Sequence, residues 1–153
     1  MLVFDTSAYV NGRRDHYPVA TFPSVWELIG EAMADDRIVT PREVFNELKA
    51  KDDETFAWAH ERAECFVEPS ADVQREAGLI LGMLPNPGVR DGADPFVVAE
   101  AQVRGLTVVT SEGSSFSGMP TKNWSKRMPG ICQYVGVDCR TLPEALTMLG
   151  ARF

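Results

Sequence analysis

The sequence predicts an α/β protein built on a parallel sheet with helices on both faces. Three observations carry that expectation. Two short apolar runs, Leu2-Val3-Phe4 and Leu106-Thr107-Val108-Val109, read as buried strands. Stretches of helical periodicity lie between the strand candidates, and strands alternating with helices give parallel sheets. Cap and stop residues punctuate the chain where each helix should begin or end.

Leu2-Val3-Phe4 is the first strand, and it stops at Asp5-Thr6-Ser7. The polar stretch Asn11 to His16, followed by Tyr17-Pro18, reads as a loop or a short helix end leading to Phe22-Pro23. Ser24 is placed to cap a helix with Glu27 at the capping-box position. Val25, Trp26, Leu28, Ile29 and Met33 carry that helix to about Ala34, and Asp35-Asp36 ends it. Arg37-Ile38-Val39 is a second strand. Thr40-Pro41 opens the next helix, with Thr as cap and Pro at the first helical position. Val44, Phe45 and Leu48 make its apolar face, while Glu43 and Glu47 share another, one turn apart.

A charged break from Lys49 to Glu54 precedes a helix over Thr55 to Glu64 that carries Phe56, Trp58 and Ala59. Cys65-Phe66-Val67 is a third strand, and Ser70 begins a helix with Val73, Ala77, Ile80, Leu81 and Leu84. Pro85-Asn86-Pro87-Gly88 is a turn. Asp94 before Pro95 has the form of a cap followed by a first-position proline, and the helix it opens stops at Gly105. After the strand Leu106 to Val109, a polar loop covers Gly113 to Asn123, and Ile131 to Val135 reads as the last strand. Thr141 caps a final helix from Leu142 to about Leu149, with Glu144 at the capping-box spacing. No repeat or linker interrupts this order, so residues 1–153 are expected to form a single domain.

Composition limits the function classes. No apolar run approaches the ~20 residues needed to cross a bilayer. The start of the chain lacks a basic region followed by a long apolar one, so a cytoplasmic protein without membrane contact is expected. Three cysteines, Cys65, Cys132 and Cys139, fit no zinc-ribbon spacing and are expected to be reduced thiols. His16 and His60 are the two histidines, too few for a His-rich metal site, and both are expected to face solvent. The formal net charge of −7 gives no passive attraction to nucleic acid. It leaves a nuclease open, because carboxylates gathered around divalent cations lower net charge by themselves.

The acids themselves form a pattern. Asp5 ends one strand, and Glu112 follows another by way of Thr110-Ser111. Glu43 and Glu47 lie on the helix that begins near Pro41, and Asp91 and Asp94 precede another. In a parallel α/β sheet, ligands bind beyond the carboxyl ends of the strands, the edge from which the following helices start. These groups can therefore converge on one crevice. Each has a plain structural reading as well: Asp5 and Asp94 can cap, a first-turn Glu complements the helix dipole, and Glu112 can be a loop acid. Carboxylates held close stay ionised mainly when a cation neutralises them. Mg2+ and Mn2+ prefer oxygen ligands, and such ions support phosphoryl chemistry by activating water and stabilising the leaving oxygen.

Four segments together carry a family likeness: Asp5-Thr6-Ser7, Val44-Phe45-Asn46-Glu47-Leu48, Ala93-Asp94-Pro95-Phe96-Val97-Val98-Ala99 and Val109-Thr110-Ser111-Glu112. In this order the chain resembles the PIN-domain ribonucleases, among them the toxins of VapBC-type toxin–antitoxin pairs. It looks closest to a PIN-like subfamily with an extended tail, a Lys-rich loop and a Cys-bearing strand, as in Lys122 to Cys132. The resemblance implies a three-layer α/β/α fold with about five parallel strands. It further implies an endoribonuclease dependent on Mg2+ or Mn2+, with RNA as substrate, a cognate antitoxin protein as partner, and a homodimer as a common state of the family. The metal-binding acids would be Asp5, Glu47, Asp94 and Glu112. The last of these is more usually Asp in the family, and Asp91 is a candidate substitute. Ser7 and Thr110 are candidate helpers that could bond a ligand carboxylate or a water, or make local turn bonds.

Lys122, Lys126 and Arg127 surround Trp124, a combination that can hold single-stranded RNA by stacking and phosphate contact, although a solvated loop with Trp124 tucked onto the body is the reading slightly ahead. Arg13 and Arg14 are a second candidate for phosphate contact. Trp26 and Trp58 fall on apolar helix faces and are expected in the core or at a subunit interface. Among rival readings, haloacid-dehalogenase-like phosphatases need a second Asp where Ser7 stands, and a receiver domain needs an acidic pair and a strand-end Lys that are lacking. A degenerate PIN-fold scaffold or antitoxin-binding module, or another metal-dependent phosphohydrolase, is the remaining alternative.

Overall fold

The computed structural model describes residues 1–83, 92–112 and 128–153. The strands are β1 (Leu2–Phe4), β2 (Ile38–Pro41), β3 (Phe66–Val67), β4 (Thr107–Val109) and β5 (Cys139–Arg140). They form one parallel sheet in the order β3-β2-β1-β4-β5. Around it stand α1 (Thr6–Asn11), α2 (Pro23–Ala34), α3 (Arg42–Lys51), α4 (Asp53–His60), α5 (Ala71–Met83), α6 (Asp94–Arg104), α7 (Met128–Val135) and α8 (Leu142–Met148), giving a three-layer α/β/α fold. No described helix is long and apolar enough to cross a membrane.

β1 is central because every one of its residues is apolar and buried, as a strand covered on both faces requires. It pairs Leu2 with Ile38 and Val3 with Val39 on one side. On the other it pairs Leu2, Val3 and Phe4 with Thr107, Val108 and Val109. From β1 the chain builds outward through β2 and β3, then returns to add β4 and β5 on the opposite side. The connections leaving β1 and β4 therefore diverge, and a crevice opens between their carboxyl ends. The Asp5 amide extends the ladder there by donating to the Val109 carbonyl at 3.0 Å.

One contiguous core fills the space between sheet and helices. Its aromatic part runs from Phe4 to Tyr9 (ring centres 5.2 Å apart) and from Tyr9 to Trp58 (5.9 Å). The buried Tyr9 hydroxyl meets Thr40 Oγ1 at 2.7 Å, so the polar tip of the ring is paired. Trp26 is buried, and Trp58 packs against the core half-buried, as their helix faces suggested.

Several boundaries differ from the sequence expectation. The segment expected as the last strand, Ile131 to Val135, lies in α7, and β5 is Cys139–Arg140 instead. Met128 to Cys132 are buried without a break, the first turn of a helix buried all round, and this outweighs the β-branched character of the run. Cys132 is thus a helix residue, and the Cys-bearing strand is that of Cys139. Gly136 ends the helix at φ 78°, a conformation that costs glycine little; its amide donates to the Cys132 carbonyl at 2.8 Å.

Chain entry into the helices also shifts. α1 begins at Thr6, directly after Asp5, and continues through a wider π-type turn, Gly12–His16. Phe22 stands at the cap position of α2 and Pro23 at its first turn, so Ser24 lies inside the helix and makes no cap bond. Thr40 lies inside β2, and Pro41, its last residue, takes the cap position of α3. Ala93 is the cap residue of α6 and Asp94 its first residue. Cys65 falls in a short 3₁₀ turn before β3. As expected, Gly105 ends α6 in the left-handed region, Ser70 Oγ accepts from the Val73 amide, and Thr141 with Glu144 forms a capping box. All three cysteines are free thiols, and both histidines are exposed. The expected turn at Pro85 to Gly88 and the loop at Gly113 to Asn123 lie outside the described residues, as does Leu84.

Candidate functional site

Beyond the ends of β1 and β4 lies a cavity of about 370 Å3, within the size range of small-ligand sites. Asp5, Glu47, Asp94 and Glu112 all line it, together with Thr6, Ser7, Val10, Asn11, Lys51 and Gly92. Acids from the end of β1, the middle of α3, the first position of α6 and the turn after β4 thus share one space.

Asp5 is set by both of its local roles. As the cap residue of α1 it accepts from the Ala8 amide at 2.8 Å through Oδ1. Ser7 Oγ donates to the same oxygen at 2.8 Å. Ser7 Oγ also accepts from the Ser111 amide at 3.0 Å and lies 3.1 Å from Thr110 Oγ1. Either hydroxyl can donate in that second contact, and the Thr110 hydroxyl also acts on the Asp5 carboxyl. Thr110 Oγ1 in turn accepts from the Glu112 amide at 3.1 Å. The two hydroxyls therefore lace the end of β4 to the end of β1 and hold the Asp5 carboxyl in a fixed orientation.

Asp5 Oδ2 is different: it is buried and has no hydrogen-bond partner among the described residues. Burial pushes the Asp5 carboxyl up to about 7; the Thr110 and Ser7 hydroxyls and the Ala8 amide oppose that shift, and the Asp94 carboxylate adds to it. Burial is thus the main reason a negative Asp5 is costly, and the Asp94 carboxylate adds a smaller share.

Glu47 reaches the cavity from the outer side. Its Oε2 accepts from the Ala93 amide at 2.9 Å, and its Oε1 lies 3.6 Å from Lys51 Nζ. Gly92 makes this approach feasible, since a Cβ there would stand 2.5 Å from Glu47 Oε2. Glu112 is held through Oε2 by the Met128 amide at 2.9 Å, which ties the turn after β4 to the start of α7. Among the described residues, no three Asp, Glu, His or Cys side chains stand close enough to hold an ion between them.

The remaining candidates divide. Ser7 bonds Asp5 and meets Thr110, as described. Arg13 is packed in the body of the protein, its guanidinium 5.1 Å from the Trp26 ring centre and 5.0 Å from that of Trp58. Arg14 is exposed. Asp91, Lys122, Lys126 and Arg127 lie outside the described residues. Sequence reasoning missed Lys51, Asn11 and Gly92. Lys51 is one turn beyond Glu47 and Asn11 one turn beyond Ser7, so helical spacing from residues already singled out points to both.

No curated protein and no solved structure shows significant similarity to this chain. A family model does match it, over residues 2–153, and the chain accordingly belongs to the family described as a domain of unknown function, DUF4411.

Proposed function

We propose that this protein is an endoribonuclease dependent on Mg2+ or Mn2+, with Asp5, Glu47, Asp94 and Glu112 as its ion-binding acids. The observation that carries this reading is the meeting of those four side chains in one cavity at the switch point of the sheet. The donors are all oxygens, the ligand type a hard cation takes, although among the described residues no three yet stand close enough to hold one. The buried, unpartnered Asp5 Oδ2 next to Asp94 is the clearest place for positive charge. Glu47 and Glu112 each use one oxygen on a backbone amide, and the second oxygen of Glu47 faces the Lys51 ammonium.

When bound, the ion supplies charge neutralisation at the phosphodiester and a lowered pKa for the attacking water. The protein's own residues prepare for that chemistry. Ser7 and Thr110 fix the rotation of the Asp5 carboxyl, and the Ala93 and Met128 amides fix Glu47 and Glu112. Such preorganisation lowers the reorganisation needed at the moment of reaction. The likeness to PIN-domain toxins extends the proposal to a toxin role with a cognate antitoxin and RNA in the cytoplasm as target.

The test is cleavage of a single-stranded RNA in Mn2+. We expect activity that stops in EDTA and falls at least a hundredfold in Asp5→Asn, on the order of the loss from removing a key electrostatic group. Expression should arrest growth, and Asp5→Asn should relieve the arrest. Cleavage surviving EDTA would sink the reading. A second reading, a scaffold or antitoxin-binding module on a degenerate site, is favoured by the spacing of the acids, no three of which surround a common point among the described residues. It predicts that calorimetry detects no Mn2+ binding.

A further inference from the structure

We propose that Lys51 is a positioning residue for the substrate phosphate, an inference that rests on the ribonuclease reading above. Among the described residues lining the cavity, Lys51 is the single cation beside four carboxylates. One divalent ion does not offset four negative charges, so an anionic phosphodiester entering the cavity meets a repulsive field unless a further cation is present. Lys51 supplies that cation from the last residue of α3. Its side chain is 59% exposed, which places the ammonium at the cavity mouth and not in its floor. An ammonium carries three N–H donors, and one contact with Glu47 Oε1 leaves the others for phosphate oxygens.

Glu47 Oε2 is held by the Ala93 amide, so Oε1 is the oxygen an ion would take, and it is the one facing Lys51. Ion and lysine therefore compete for Glu47. With Glu47 Oε1 given to an ion, Lys51 would be left to the substrate phosphate. This separates the role from the plain alternative, in which Lys51 only steadies Glu47 and the C-terminal end of α3.

Lys51→Met and Lys51→Arg are compared with the wild type by steady-state cleavage of a single-stranded RNA in saturating Mn2+ and by calorimetric titration with Mn2+ alone. Loss of a charge-assisted contact should raise KM about tenfold in Lys51→Met. We expect kcat to stay within about threefold, KM to recover in Lys51→Arg, and Mn2+ affinity in Lys51→Met to be unchanged or tighter. An unchanged KM beside an active wild type overturns the Lys51 role and leaves the ribonuclease intact. Weaker Mn2+ binding in Lys51→Met overturns it too, since the lysine would then be supporting Glu47. A wild type that binds Mn2+ and cuts no RNA overturns both proposals together.

Discussion

Asp5 uses its two carboxylate oxygens for different ends. Oδ1 caps α1 and takes the Ser7 hydroxyl, while Oδ2 is buried without a partner among the described residues. Capping and ion binding, which the sequence presents as alternatives, are thus compatible in one side chain. The capping half is shown by the Ala8 bond, and the chemical half rests on the orphaned oxygen. Burial raises the folded pKa to about 7, against ~3.9 for an unfolded Asp. Between those values the native state binds more protons than the unfolded one, so ion-free stability falls as pH rises. The contribution is complete below about pH 4 and lost above about pH 7, by at most ~4 kcal/mol. Asp5→Asn should therefore melt higher than the wild type at pH 8 without metal and lose that advantage at pH 4. Mn2+ must displace the same proton, so its affinity should drop about tenfold per unit below pH 7 and level off above it. Titration calorimetry from pH 5.5 to 8.5 checks this, and a flat profile would exclude Asp5 as a ligand.

Among the elements, caps that look alike on paper separate once the chain is folded. Thr141 and Glu144 exchange bonds with each other's amides in the box that opens α8. Ser24, with Glu27 three residues on, has the same letters and no cap bond, because Pro23 starts α2 one residue earlier. Thr141→Ala should cost ~1 kcal/mol, lowering Tm by about 2–4 °C in a chain of this size. Ser24→Ala should stay within ~0.5 kcal/mol of neutral. Thermal melts of the two variants decide whether Thr141 carries the difference. α7 shows the opposite kind of ambiguity. Starting from Ile131, five residues with a β-branched residue at each end look like a strand. Including Met128 exposes the spacing Met128, Ile131, Cys132, Val135, which is helical and ends at Gly136. Short apolar runs do not distinguish strand from helix until their flanks are counted.

On the scale of the whole molecule, the strand–helix alternation was readable because each unit carries its own caps and apolar period. The parallel sheet follows from that alternation. The meeting of the acids was readable for a related reason: in such a sheet strand ends and helix starts fall on one edge. Lys51 and Asn11 follow only by helical spacing from Glu47 and Ser7, and Gly92, outside any helix, has no such spacing to mark it. The same geometry has a thermodynamic consequence. The cavity draws its acids from the end of β1, from α3, from the start of α6 and from the turn after β4. An ion bound by them would join segments far apart in sequence and favour the native state alone. At a free concentration of 100 times Kd, binding adds about 2.7 kcal/mol, which corresponds to a Tm increase of roughly 5–10 °C for a domain of this length. The increase should appear with Mn2+ relative to EDTA at matched ionic strength, grow between pH 6 and pH 8 as Asp5 ionises, and vanish in Asp5→Asn. If the four carboxylates serve only as caps and dipole partners, Mn2+ leaves the melt of the wild type where EDTA has it, and the ion-binding reading of the cavity fails with it.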